Sequence, residues 1–202
     1  MTMLIGLAGV AQSGKDTAGL AMSDYGFQRR AFADKLREFL YALNPYLKIS
    51  DDPLADMVDY YGWDRAKVEM PEVRELLQKT GVTAREVMGE NVWVDATMRD
   101  LPDFTVITDV RFPNEVAAIR QRGGIVLRVV RKGVNAPVMA DGTIHESETA
   151  LDDMDLDGTL HNNGTIADLH YMVHWWIWHF RKVQDSASCG KTAINVTLGG
   201  AK

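Results

Sequence analysis

Cysteine is almost absent from this 202-residue sequence, in which Cys189 is the only one. A single cysteine excludes an intrachain disulfide framework and favours a reducing, cytoplasmic location. Basic residues are also in the minority, 22 against 28 acidic ones, for a net charge of −6. This balance argues against binding of a nucleic-acid polymer through a basic face. It is compatible with a small anionic ligand held in one local site.

Long apolar runs are missing as well. The most apolar late stretch, residues 171–180, is interrupted by His174 and His179 and is far shorter than the roughly 20 residues of a membrane helix. The first nine residues are apolar but lack the basic start of a secretory signal. We therefore expect a soluble protein with no membrane association, and the length suits one α/β domain of up to about 250 residues.

Short apolar runs alternate with helical patterns along the chain. Strands are predicted at residues 4–8, 27–32, 104–108, 125–130 and 156–161. Helices are predicted at residues 15–25, 34–43, 72–79 and 114–122, with further helix starts at 51–53 and 165–168. Gly81 is expected to end the third of these helices, and residues 131–149 are expected to form a loop or flap. The alternation predicts an α/β fold, with a central parallel sheet flanked by helices.

The segment GVAQSGKDT, residues 9–17, has the glycine and lysine spacing of a Walker A phosphate-binding loop. Gly9 and Gly14 allow the backbone to curl so that several N–H groups point at one phosphate. Lys15 can then reach the β- and γ-phosphates of a nucleotide. The residues expected to contact the nucleotide are Gly9, Ala11, Gln12, Ser13, Gly14, Lys15, Asp16 and Thr17. The alternative is a plain glycine-rich turn between a strand and a helix.

Asp16 stands where a Walker A loop usually has a serine or threonine that binds magnesium. Its carboxylate could belong to a magnesium shell. It could equally be an acidic residue in the first turn of a helix, where the helix dipole favours it. The sequence leaves both interpretations open.

A second polar cluster follows the predicted strand at residues 104–108, in the segment TDVRFPNE. Ligands of open α/β sheets lie beyond the carboxyl ends of the strands, so Asp109 and Arg111 could hold magnesium and a phosphate, respectively. The alternative is a local Asp109–Arg111 pair that closes the turn, with Glu115 in the first turn of the next helix.

A third set lies in the predicted helix at residues 72–79. Arg74 and Gln78 are four residues apart and therefore share one helix face. A guanidinium suits a monophosphate, and a glutamine can hydrogen-bond a base or a sugar. The alternative is an ordinary solvated face.

Together these segments resemble the deoxynucleoside monophosphate kinases of bacteriophages, within the P-loop nucleoside monophosphate kinase group. The matching segments are residues 9–17, 32–38, 74–81, 108–115 and 145–148, and residues 162–165 are similar too. They span nearly all of residues 1–180.

The resemblance implies a P-loop kinase that uses ATP and Mg²⁺ to phosphorylate a deoxynucleoside 5′-monophosphate, in the host cytoplasm if the chain is encoded by a phage. It implies one domain over residues 1–184, with an acceptor-binding helical region at about 34–100 and a lid at about 131–149. Residues 185–202 would form a peripheral tail. A homodimer is compatible with it.

The resemblance also implies roles for individual residues. The catalytic residues would be Lys15, Arg37, Asp109, Arg111 and Arg131, although Arg37 stands where the family usually carries lysine. The metal ligands would be Asp16 and Asp109. The acceptor would contact Asp34, Lys35, Arg37, Arg74, Gln78, Trp93, Arg111 and Glu115.

Two other functions are compatible with the same motifs. Phosphomevalonate kinases are similar in the Gly-Lys-Asp loop and in a Glu-Ser-Glu segment, here residues 146–148. A non-catalytic P-loop module would bind nucleotide without an acceptor and would leave Arg74 and Arg111 without a role.

Overall fold

A five-stranded parallel sheet forms the centre of the residues that the computed structural model describes, which are 2–138 and 142–188. The strands are β1 (Met3–Ala8), β2 (Gln28–Arg30), β3 (Phe104–Val110), β4 (Ile125–Val130) and β5 (Gly158–His161). Their order in the sheet is β2-β3-β1-β4-β5, and every neighbouring pair is parallel. The predicted α/β fold with a central parallel sheet is confirmed.

The apolar run near the N-terminus forms β1, the middle strand of the sheet, and it contains no alternating polar residues. All six of its residues are buried, because β3 and β4 pair with its two edges and helices cover both faces of the sheet. Parallel strands end at a common edge of the sheet. The polar segments at residues 9–17 and 109–115, which follow β1 and β3, are therefore brought to the same edge.

The described residues contain eight helices. They are α1 (Lys15–Ser23), α2 (Phe32–Leu43), α3 (Leu54–Glu69), α4 (Pro71–Met88), α5 (Val92–Met98), α6 (Pro113–Gln121), α7 (Glu146–Thr149) and α8 (Ile166–Ser188). Helices α1 and α8 share one core with Met3, Ile5 and Leu7 of β1. Helices α5 and α6 share a second core with Leu4 and Ala8, on the opposite face of the sheet.

Helices α2, α3 and α4 build a third, separate core around Leu40, Leu54 and Val73. The prediction that Gly81 ends a helix is wrong, since α4 continues to Met88. Gly81 is buried, and a Cβ at this position would lie 3.3 Å from a methyl carbon of Leu36 in α2. The glycine therefore serves close helix packing instead of helix termination.

Three further boundaries differ from the predictions. The strand predicted at residues 27–32 is shorter, because α2 already begins at Phe32. The flap predicted at residues 131–149 contains the short helix α7, and residues 139–141 lie outside the described residues. The tail predicted from residue 185 begins inside α8, and its residues 189–202 also lie outside the described residues.

No helix in the described part of the chain is long and apolar enough to cross a membrane.

Candidate active site

The loop between β1 and α1 has a backbone that only glycine accommodates at two positions. Gly9 has a φ of 137° and Gly14 a φ of 103°, in the region that L side chains rarely adopt. A Cβ at Gly9 would overlap the carbonyl oxygen of Val129 in β4, and a Cβ at Gly14 would overlap the side chain of Asn162. The two glycines of the Walker A spacing are thus required by close contacts with the neighbouring strands.

Asn162, directly after β5, holds this loop in place. Its Nδ2 donates to the carbonyl oxygen of Ser13 at 2.9 Å, and its own backbone N–H donates to Val130 at 2.8 Å. The hydroxyl of Ser13 is buried without a hydrogen-bond partner in the described structure. The loop is therefore clamped from the side of the sheet.

Lys15 begins α1 and folds back across the loop. Its Nζ donates to the carbonyl oxygens of Gly9 at 2.7 Å and Val10 at 2.8 Å, and among the described residues it has no carboxylate within ion-pair distance. Burial lowers the pKa of Lys15, and the nearby Arg111 guanidinium lowers it further. An ammonium held only by main-chain carbonyls can turn to phosphate oxygens without breaking a salt bridge.

Arg111 lies beside the loop, but its ion-pair partner is Glu148 of α7 and not Asp109. Its Nη1 donates to Oε1 of Glu148 at 2.8 Å and to the hydroxyl of Ser147 at 2.9 Å. The second oxygen of Glu148 accepts the backbone N–H of Ala11 in the loop at 2.8 Å. The alternative interpretation, a local Asp109–Arg111 pair, is wrong, because the Arg111 guanidinium pairs with Glu148.

Asp109 at the end of β3 is turned to the start of α2. Its two carboxylate oxygens accept the backbone N–H groups of Phe32 at 2.8 Å and Ala33 at 3.0 Å. Burial raises the pKa of Asp109, and these two hydrogen bonds oppose the rise. The carboxylate thus fixes α2 to the edge of the sheet, and its roles in catalysis and metal binding stay predictions.

Glu115 in the first turn of α6 holds the turn that carries Arg111. Its Oε2 accepts the backbone N–H groups of Arg111 at 2.6 Å and Phe112 at 3.1 Å. Burial raises the pKa of Glu115 to about 7. This carboxylate sets the direction in which the Arg111 side chain leaves the backbone.

The other two cations that were predicted to be catalytic, Arg131 and Arg37, line different cavities. Arg131 lines a cavity of about 270 Å³ together with Gly9, Arg111 and Glu148. Arg37 is instead paired with Asp34 at 3.5 Å and lines a separate shallow cleft.

The remaining predicted acceptor residues do not form one cluster. Lys35 pairs with Glu38 at 2.6 Å on the exposed side of α2. Arg74 and Gln78 are exposed on α4. Trp93 is buried, and its Nε1 donates to the carbonyl oxygen of Gly81 at 3.3 Å.

A cleft of about 850 Å³ opens between α4, α5 and the start of α6. Trp93, Glu115 and Arg85 line it, and the same three residues line a smaller adjoining pocket with Asp109 and Arg111. Arg85 lies over the ring of Phe112 at 5.4 Å from its centroid, and no carboxylate pairs with it among the described residues.

Arg85 and Glu148 were not among the site residues predicted from the sequence. Arg85 follows Arg74, Gln78 and Gly81 at helical spacing, so one face of α4 carries all four, and this repetition is the signal for Arg85. For Glu148 the sequence offered only the Glu-Ser-Glu segment of the resemblance.

Asp16 is exposed at the start of α1 and pairs with Arg29 at 3.5 Å. Within residues 2–138 and 142–188 no group of three or more His, Cys, Asp or Glu side chains could hold a metal ion. Magnesium in nucleotide sites needs only one or two protein carboxylates, because waters and phosphates supply the other ligands. A single accessible carboxylate next to Lys15 fits that requirement.

The fold and the loop define a P-loop α/β protein. No family model matches the chain. It is similar to a protein of Acanthamoeba polyphaga mimivirus described as "Putative deoxynucleotide monophosphate kinase", with 29% identity over 190 residues that cover 85% of this chain and 94% of that protein.

Two solved structures cover most of the chain at low similarity. Dephospho-CoA kinase from Campylobacter jejuni is 14% identical at a TM-score of 0.39, over 90% of this chain and 97% of that one. Shikimate kinase from Aquifex aeolicus is 9% identical at a TM-score of 0.39, over 91% of this chain and 98% of that one. Both scores indicate weak structural similarity.

Proposed function

We propose that this protein is a kinase that transfers the γ-phosphoryl group of ATP to a deoxynucleoside 5′-monophosphate. The observation that carries the proposal is the convergence of Lys15, the Ala11 amide and Arg111 at the carboxyl edge of the sheet, next to a cleft of nucleotide size. The name of the mimivirus relative, which aligns over most of both chains, supports the same activity. Phage origin, a homodimer and a cytoplasmic location stay predictions.

The proposed reaction requires little covalent work from the protein. The acceptor phosphate oxygen is already ionised at neutral pH, so no strong general base is needed, and catalysis consists of in-line placement and charge neutralisation. Lys15 and the loop amides would hold the β- and γ-phosphates. Arg111 and Arg131 would neutralise charge on the group in transfer.

Magnesium, when bound with ATP, supplies further charge neutralisation between the β- and γ-phosphates. Asp16 is the carboxylate of this chain that would hold it, directly or through water. Its present partner, Arg29, is exposed and forms a single long contact of 3.5 Å. Such an exposed pair contributes little stability, so the Asp16 carboxylate is easily released.

The cleft between α4, α5 and α6 suits the acceptor nucleotide. Trp93 provides an aromatic wall against which a base can pack, and Arg85 provides an unpaired guanidinium for a phosphate. The smaller adjoining pocket connects these residues to Arg111. An acceptor bound there would therefore have its phosphate close to the reacting end of ATP.

The same cleft favours the nucleotide over the two alternative functions. A phosphomevalonate-like acceptor would need neither a cleft of about 850 Å³ nor an aromatic wall. A non-catalytic module would leave the cation pair Arg85 and Arg111 without an acceptor.

The test is an ADP-release screen with ATP, magnesium and each deoxynucleoside monophosphate in turn, with phosphomevalonate as the competing acceptor. We expect ADP release that depends on at least one monophosphate, and a diphosphate product. Release with phosphomevalonate alone would assign the small-metabolite function. Slow hydrolysis that no acceptor accelerates would indicate the non-catalytic module.

We expect Asp16→Ala to weaken the magnesium dependence of turnover more than the binding of ATP. A carboxylate next to the phosphates is favourable mainly when a cation lies between them. The measurement is turnover against free magnesium at saturating ATP, with Asp24→Ala, an exposed aspartate just after the same helix, as the control. An unchanged magnesium curve in Asp16→Ala would assign Asp16 to the first turn of α1 alone.

If Arg74 holds the acceptor phosphate, as the resemblance implies, Arg74→Ala raises the KM for the acceptor at least about tenfold and leaves the KM for ATP nearly unchanged. A phosphate that loses a guanidinium loses charge-assisted hydrogen bonds of about 1.5–3 kcal/mol each. The measurement is a pair of steady-state titrations, with one substrate varied at a time. Lys79→Ala, an exposed cation on another face of α4, is the control.

The matched variant Arg85→Ala locates the acceptor phosphate on α4. Arg74 and Arg85 share a helix face but are eleven residues apart, which is about 16 Å along the helix axis. If Arg85→Ala raises the acceptor KM and Arg74→Ala does not, the phosphate lies in the cleft next to α6. In that case the role predicted for Arg74 is wrong.

A further inference from the structure

Glu148 places a carboxylate where the proposed function requires a phosphate. Its Oε2 accepts the Ala11 N–H of the loop at 2.8 Å, and its Oε1 accepts a hydrogen bond from Arg111 at 2.8 Å. The backbone N–H groups of a Walker A loop are the donors that hold nucleotide phosphates. One carboxylate thus occupies both a loop amide and the guanidinium beside it.

The Glu148 carboxylate is buried, and it accepts the one hydrogen bond that the Ala11 N–H group can donate. The side chain of Glu148 is 6% exposed, and the contact joins residues 137 positions apart. A backbone N–H group donates one good hydrogen bond, so Ala11 cannot serve Glu148 and a phosphate at the same time. The Nζ of Lys15 is likewise held by the loop's own carbonyl oxygens.

We propose that Glu148 is a built-in phosphate surrogate, which fills the loop of the unliganded protein and is displaced by the phosphates of the incoming nucleotide. The inference rests on the proposed function to the extent that the loop binds ATP. On displacement, the phosphate takes over the Ala11 amide. Arg111 is released from Glu148 and turns to the reacting group only when nucleotide is bound.

The structure leaves the carboxylate room to move. A cavity of about 270 Å³ lies next to it and is lined by Val10, Arg131 and Asp152 among others. A rotation of the Glu148 side chain into this space would vacate the loop without unfolding α7.

Competition of this kind predicts that removal of Glu148 strengthens nucleotide binding. The experiment is calorimetric titration of the full chain with ATP in the absence of magnesium, which keeps metal ligation out of the comparison. We expect Glu148→Ala to bind ATP about tenfold more tightly than the wild type, because the loss of a charge-assisted hydrogen bond no longer opposes binding. Glu148→Gln, which keeps the shape but not the charge, should fall between them.

Asp153→Ala is the charge-matched control. Asp153 is exposed five residues after Glu148 and has no partner in the described structure, so its loss should change ATP affinity less than about twofold. A tenfold gain in Glu148→Ala and none in Asp153→Ala supports displacement. An equal gain in ATP affinity in both variants would mean that the change in net charge alone causes the effect, and it would overturn the proposal.

Thermal unfolding provides a second readout, because the tighter binding expected of Glu148→Ala must offset its lower stability without ligand. The Glu148 contacts exist only in the unliganded state, so Glu148→Ala should lower the Tm of the unliganded protein and match the wild type at saturating ATP. An equal difference in Tm with and without ATP, or an ATP affinity that is unchanged or weaker, would overturn the proposal. Absence of ATP binding by the wild type contradicts the proposed function itself, whereas wild-type binding without a gain in Glu148→Ala contradicts this inference alone.

Discussion

We expect Lys15→Met to abolish the proposed phosphoryl transfer and to leave the protein folded. Among the described residues, the Lys15 ammonium donates hydrogen bonds only to the loop carbonyls of Gly9 and Val10. It can therefore bind incoming phosphates without first breaking an ion pair. Removal of a preorganised charge that faces the transferring group typically lowers kcat by about 10²–10³ or more. We therefore expect activity below about one hundredth of the wild-type value, in the ADP-release assay with ATP and the accepted monophosphate.

The fold should tolerate this change because burial of the Lys15 ammonium, which lowers its pKa, carries a desolvation cost that the substitution removes. Methionine is of similar length and carries no charge to bury. The controls are the circular dichroism spectrum and the Tm of Lys15→Met, which should stay near those of the wild type. Wild-type activity in a folded Lys15→Met protein would remove the phosphate-loop interpretation.

The central strands of the sheet were predictable from sequence because they are largely buried on both faces. Residues 4–8 are continuously apolar and residues 125–130 are apolar except for Arg128, which distinguishes them from surface strands without knowledge of their neighbours. The position of the loop was predictable for a related reason. Gly9 and Gly14 mark a backbone that other residues do not adopt, and this signal is local.

The contacts that organise the site were not predictable, because they join distant parts of the chain. The carboxylate of Asp109 caps α2, 76 and 77 residues earlier in the sequence, and Glu148 reaches Ala11 across 137 residues. Strand-end position identified Asp109 as a residue of interest. It could not distinguish a carboxylate turned to the ligand from one turned to a helix.

In helix α4, too, a contact with another helix decides a feature that the local sequence does not show. Gly81 has the local signature of a helix end, but α4 continues through it, and the approach of Leu36 accounts for the small residue at this position. The continuation in turn places Arg85 in the cleft next to Trp93. Because Gly81 was predicted to end the helix, Arg85, the cation of the proposed acceptor site, was not predicted to lie on the same helix face as Arg74.

We expect Arg111→Ala to lower kcat roughly 10³-fold and to change the KM for ATP much less. Glu115 accepts the backbone N–H groups of residues 111 and 112 and so fixes the turn beside the loop, while the Arg111 side chain is held by Glu148 until nucleotide binds. Under the proposed function the guanidinium then acts on charge that develops during transfer, and arginines in that role contribute about 10³–10⁵ to kcat.

Two further variants separate this role of Arg111 from a loss of stability or of net charge. Arg111→Lys keeps the charge but not the planar, two-pronged guanidinium, and it should recover only part of the activity. Arg122→Ala removes an exposed arginine just after α6 and should leave kcat within about twofold of the wild type. The measurement is steady-state kinetics with each substrate varied, together with the Tm of every variant. If Arg111→Ala retained kcat within about threefold while remaining folded, Arg131 would be the remaining cation beside the loop, and the charge of the transferring group would have to be neutralised there.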